Sequence, residues 1–170
     1  MPADELDARE AAYESFLAGR RATMPPDLWS YFAWDVFHDG GLEELSWNRE
    51  MDSLQLELSC PNIKRFEDSG EYEFVNVSFR CTFQGVSYQD VDMQEDGGGV
   101  GSFIGAEIDA EADLLTRAKE RLQGDHHSLL IEFEHIVMRI VFRDLSVDAV
   151  DPASFELMRQ DPNYVIPTAP

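Results

Sequence analysis

The chain is predicted to fold as an α+β, mainly β domain: an antiparallel sheet of about six to eight strands, curled into a sandwich or open barrel, with an N-terminal helix and one inserted helix. Three observations carry the prediction. From Gly40 onward apolar residues recur at every second position, the period of a sheet with one dry and one wet face. Before Gly40 the spacing is helical, and a second helical stripe interrupts the alternation between Asp109 and Gly124. Short polar turns separate the alternating runs, which suits hairpins and antiparallel pairing.

The first segment, Ala3 to Ala22, places Leu6, Tyr13, Phe16 and Leu17 at near-helical spacing, with acids in its first turns and Arg20 and Arg21 at its end, a charge order that suits the helix dipole. Pro25 and Pro26 stop it. The aromatic run Asp27 to Phe37 (DLWSYFAWDVF) is predicted to be a short helix packed as a lid over the sheet, with a dimer interface as its functional alternative. Leu45 and Trp47 then alternate with Glu44 and Ser46, and after a turn from Asn48 to Asp52, Leu54, Leu56, Leu58 and Cys60 alternate with Gln55, Glu57 and Ser59. Pro61 to Gly70 reads as a polar connection. Val75, Val77, Phe79, Cys81 and Phe83 mark a long strand, Gly85 a bulge or turn, and Val86 to Val91 a further strand.

Asp90 to Gly101 (DVDMQEDGGGVG), dense in glycine and acid, is predicted to be a loop, and Phe103 to Ile108 a short strand. Asp109 is the expected cap of a helix whose Leu114, Leu115, Ala118 and Leu122 form one stripe, with Gly124 at its end; this helix should lie across the sheet. Leu129, Ile131 and Phe133 occupy one phase and Ile136, Met138, Ile140 and Phe142 the other, so a turn or bulge must sit near His135. Leu145 and Val147 form a last short run, and Pro152 to Arg159 reads as helix. Residues 1–170 thus form a single domain, with 3–37 a helical segment packed on the sheet and 160–170 a C-terminal tail.

Net charge narrows the partners. With 34 Asp and Glu against 13 Lys and Arg, the chain carries -21, spread over predicted helices and strands. Nucleic acid and anionic membrane are therefore excluded as direct ligands, and a basic protein is the expected partner. No apolar run approaches the roughly 20 residues that span a bilayer, and the N-terminus opens with acids, so a cytoplasmic location is expected. Cys60 and Cys81 fall in separate strand-like runs and are expected to be buried, inert thiols.

No nucleophile elbow, phosphate-binding lysine loop or dinucleotide fingerprint is present, so neither an enzymatic activity nor a cofactor is expected. His38 and Asp39 are adjacent ionisable groups at a helix-to-strand junction and define the alternative reading, a metal-dependent hydrolase that recruits a later histidine. His126 and His127 are neighbours on a strand-like run and should diverge, and His135 sits at the phase slip, so no metal centre is expected from them. Asp92, Gln94, Asp96 and Gly97 imitate the opening of a calcium loop, but Phe103 stands where the bidentate Glu is required.

Phe37-His38-Asp39-Gly40, followed by Leu42, Leu45, Trp47 and the Leu54-Leu56-Leu58 strand, resembles the start of small bacterial β-sheet proteins, some of them similar to immunity proteins of polymorphic toxin systems. That resemblance, over Phe37 to Cys60, implies a compact antiparallel sheet and neutralisation of a toxin by binding, with no catalytic residue. The leading expectation is accordingly a non-enzymatic protein-binding module, in its sharpest form an immunity-type inhibitor. The residues expected to meet a basic partner are Glu43, Glu44, Asp90, Asp92, Glu95 and Asp96. In a third reading the charge only keeps a homodimer soluble.

Overall fold

A computed structural model describes residues 3–33, 36–93, 101–110 and 112–161. Its elements, in chain order, are α1 (Ala3–Arg20), a single 3-10 turn (Arg21–Thr23), α2 (Pro26–Phe32), β1 (Leu42–Asn48), β2 (Ser53–Phe66), β3 (Tyr72–Gln84), β4 (Tyr88–Met93), β5 (Phe103–Ile108), α3 (Ala112–Arg121), β6 (His127–Phe133), β7 (Ile136–Phe142), β8 (Asp144–Ala149) and α4 (Pro152–Gln160). The strands form two four-stranded antiparallel sheets, ordered β1-β2-β3-β8 and β4-β7-β6-β5. The expected mainly β, α+β architecture is therefore what the chain adopts, as two open sheets.

Alternation sets the faces. Leu54, Leu56, Leu58 and Cys60 of β2 and Val77, Phe79, Cys81 and Phe83 of β3 are wholly or almost wholly buried, whereas their neighbours in sequence are mostly half-buried or exposed. From the second sheet come Leu129, Ile131 and Phe133 of β6 and Ile136, Met138, Ile140 and Phe142 of β7. The two inner faces share one core, joined by edge-on rings such as Phe83 and Phe142, whose centroids lie 4.9 Å apart. The expected turn at the phase slip is present: β6 and β7 form a tight hairpin around Glu134 and His135.

The chain turns a corner from one sheet into the other twice, where β3 is followed by β4 and where β7 is followed by β8. Gln84 pairs with Asp144 in the first sheet and Tyr88 with Val141 in the second, so between them Gly85, Val86 and Ser87 face only Phe142 and Arg143. The odd residue is taken up at Gly85, which stands at φ +61 as a bulge requires. Hydrogen bonds cross the corner without a break: Arg143 N–H donates to Gln84 O at 2.9 Å and Ser87 N–H to Val141 O at 2.9 Å.

Helices cover what the sheets leave open. Leu28, Tyr31 and Phe32 of α2 are buried, and Asp27 accepts a 2.7 Å hydrogen bond from Val147 N–H, so α2 seals the outer edge of β8. Pro26 opens α2 at a position where a missing N–H costs nothing. The aromatic run is thus core, as its lid reading expects; Trp34 lies outside the described residues. Leu115 and Ala118 of α3 pack on Val141, on the outer face of the second sheet. Leu122, expected in that stripe, is exposed.

Three expectations are corrected. The connection is shorter than Pro61 to Gly70, because β2 continues to Phe66: a bulge between Cys60 and Ile63 absorbs Pro61, restores the phase and buries Ile63. Asp109 does not cap α3, which starts at Ala112; the aspartate is buried and turned elsewhere. The loop expected from Asp90 does not begin there, since β4 continues to Met93. At the other end α4 reaches Gln160, and the buried Asp161 accepts from Lys64 N–H at 2.9 Å.

Candidate functional site: an acidic edge strand and an arginine-lined cleft

Of the residues expected to meet a partner, Glu43 and Glu44 lie exposed on β1 at an edge of the first sheet, and Asp90 and Asp92 lie exposed on β4 at an edge of the second. The fold places the pairs in different sheets. Glu95 and Asp96 fall outside the described residues, as does most of the calcium-loop imitation.

β4 has β7 as its strand neighbour and, among the described residues, no strand paired along its other side. All six of its residues are exposed. Register with β7 puts Val91 opposite Met138 and Met93 opposite Ile136, so both belong to the core-facing phase; yet Val91 is 41% and Met93 67% exposed, because β4 overhangs the core. On the outer phase Asp90 lies opposite Arg139, with an ion-pair distance of 3.5 Å, and Asp92 lies opposite Val137. The strand therefore offers free backbone groups, an apolar strip and two carboxylates together.

His38 and Asp39 sit in the exposed turn between α2 and β1, 3.7 Å apart from Nε2 to Oδ1. The turn is built by its neighbours: Phe37 is fully buried, Asp39 takes φ +58, and Gly40 passes so close to β2 that a Cβ there would lie 1.8 Å from Ser59 O. Phe103 N–H donates to Gly40 O at 2.6 Å and Asp39 N–H to Phe103 O at 3.2 Å, which stitches the turn to β5. Among the described residues no group of three or more His, Cys, Asp or Glu is arranged to hold a metal ion, here or elsewhere.

His126 and His127 diverge, as neighbours on a strand should. His127 turns toward α1: its Nε2 donates to Thr23 O at 3.1 Å, and its Nδ1 lies 3.6 Å from Asp109 Oδ2. Asp109, at φ +56 with a fully buried side chain, accepts from Ser128 N–H at 2.9 Å and forms an ion pair with Arg20 at 2.8 Å. About two helical turns before Arg20, Tyr13 Oη accepts from Ile108 N–H at 2.6 Å. These contacts, with buried Leu17, latch a largely exposed α1 onto the sheets; in the sequence Asp109 carries only the mark of a helix cap, and its real partners are distant.

The opposite turn of His126 leads to a cleft of about 590 Å³ between α3 and the strand corner, where Arg117, Arg121 and Arg143 all contribute to the lining. Arg117 and Arg121 share a helix face at i and i+4, which the sequence shows; their meeting with Arg143 depends on the corner and is not visible there.

Cys60 and Cys81 are buried and free, as expected; burial pushes the Cys60 thiol up to about 12 and that of Cys81 well above its ordinary value. No helix among the described residues is long and apolar enough to cross a membrane.

What defines the molecule is its class, a two-sheet antiparallel α+β fold on a chain of net charge -21. Compared with protein-family models, with curated proteins and with solved structures, the chain matches none.

Proposed function

We propose that the protein is a non-enzymatic binding module that recognises a basic protein partner through β4, in the manner of an immunity-type inhibitor. The observation that carries the reading is the exposed β4 edge, on which Val91 and Met93 are uncovered beside Asp90 and Asp92. A partner segment that adds a strand there satisfies the free backbone groups, covers the apolar strip, and sets its own cations against the carboxylates. The charge of -21 steers such a partner toward the surface and makes the encounter weaken with salt. Self-pairing along the same edge sets carboxylate against carboxylate, so a second copy is the poorer occupant.

The test is capture from host lysate at low and high salt, with wild-type protein and an Asp90→Lys/Asp92→Lys variant side by side. The expected result is a basic protein held by the wild type at low salt, released at high salt, and not held by the variant. Equal capture by both proteins, or recovery of the chain alone, refutes the reading.

A further inference from the structure

We propose that the cleft between α3 and the strand corner is a binding site for a small organic anion, a carboxylate or phosphate ester carried on an aromatic or short aliphatic body. This site is independent of the β4 edge. Its lining has two parts: Arg117, Arg121 and Arg143 supply guanidinium groups, while Val86, Tyr88 and Leu114 are among the residues that supply apolar wall. Its volume, about 590 Å³, lies in the range that holds small ligands.

Three features distinguish it from an accident of surface charge. First, the chain has 34 acids to pair with 13 Lys and Arg, yet the side chains of these three exposed arginines form no ion pair with a described residue. Asp52 is the acid in the cleft wall, whereas Asp125 and Asp144 line a separate pocket beside Arg143, so the lining of the cleft itself carries three arginines against one acid.

Second, Arg143 lies along two glycines that leave room for it. A Cβ at Gly85 would lie 2.8 Å from its Cδ, and one at Gly124 would lie 3.1 Å from its Nη2; both glycines take positive φ. Third, His126 beneath the cleft is only 1% exposed; its Nδ1 is held by Gly124 O at 3.1 Å, and its buried Nε2 has no hydrogen-bond partner among the described residues. With Nδ1 donating, Nε2 is an acceptor, so what it lacks is a donor, and the group that completes it is a hydroxyl or N–H carried on the body of the ligand.

Guanidinium groups bind carboxylate and phosphate oxygens through paired, charge-assisted hydrogen bonds, which selects an oxyanion. The apolar wall selects its body. Global charge does not prevent entry, because at physiological salt fields fade over about 8 Å, so an anion in the cleft feels mainly the arginines that line it.

The experiment is calorimetric titration of the full chain with phenyl phosphate, benzoate and inorganic phosphate at near-physiological salt. Saturable binding of phenyl phosphate or benzoate is expected, the tighter of the two naming the oxyanion, with inorganic phosphate at least about tenfold weaker. Arg117→Gln and Arg143→Gln should each weaken binding by about tenfold or more. If Arg143→Gln disturbs folding, Arg121→Gln, also exposed on α3, replaces it. No saturable binding of either organic anion, or unchanged affinity in the variants, overturns the site. Equal affinity for inorganic and phenyl phosphate overturns the assigned apolar body.

Discussion

Replacing Asp109 tests how the N-terminal helix is held. Asn at this position keeps an acceptor for Ser128 N–H and tolerates φ +56, but it loses the charge that faces Arg20 at 2.8 Å and His127 at 3.6 Å. Loss of one charge-assisted contact gives a destabilisation of about 2 kcal/mol for Asp109→Asn. Ala also removes the acceptor and the short polar side chain that lets Asp or Asn tolerate a left-handed backbone, which raises the expected cost to about 4 kcal/mol or more. With a urea slope of about 2 kcal/mol per molar, the midpoints should fall by about 1 M and about 2 M. Tryptophan fluorescence reports the transition through Trp29 and Trp47, one buried and one half-buried. A double-mutant cycle with Arg20→Met should return a coupling of about 1 kcal/mol. The reasoning is refuted if Asp109→Asn unfolds within about 0.5 kcal/mol of the wild type.

Other expectations follow from burial and backbone geometry. Cys60 and Cys81 should resist a thiol reagent at mildly alkaline pH in the folded protein and both react after unfolding; prompt labelling of the native chain counts against their burial. Burial is also the largest influence on Asp27 and raises its carboxyl above the usual range, against the pull of the Val147 hydrogen bond. Folding therefore strengthens proton binding there: the stability it contributes is complete below the unfolded value and fades as pH rises through the folded one. Asp27→Asn should consequently gain on the wild type in urea unfolding between about pH 4 and about pH 7, and the opposite trend sinks the assignment. Gly40→Ala drives a Cβ to 1.8 Å from Ser59 O, a backbone atom that cannot swing aside, so a loss of about 3 kcal/mol or more is expected; a wild-type midpoint contradicts it.

What the sequence makes legible depends on how far a signal reaches along the chain. Leu54 to Cys60 and the slip near His135 are local alternations, and both appear in the structure as written. Pro61 interrupts that alternation in a stretch rich in polar residues, so the second half of β2 reads as loop until the bulge and its pairing with β3 are seen. Asp109 carries the local mark of a helix cap, whereas its partners Arg20 and His127 are brought to it by tertiary packing. Phe37 to Asp39 looks chemical in sequence because a histidine and an aspartate adjoin; in the fold Phe37 and Gly40 carry the structural load and the ionisable pair faces water. The cleft is invisible for the same reason as the Asp109 latch, since Arg143 reaches Arg117 and Arg121 only through the corner.

That corner has a kinetic consequence. Gln84 cannot meet Asp144 until the chain between them, from β4 through β7, has doubled back. The local hairpins, β1 with β2 and β6 with β7, can zip early, but the ladder that runs from one sheet into the other closes a long loop and belongs late in folding. Once closed, it makes the sheets a single cooperative unit in hydrogen exchange, so the amides of Ser87 and Arg143 should be protected together with the core strands, and a load on β4 would be carried along its own backbone into β3.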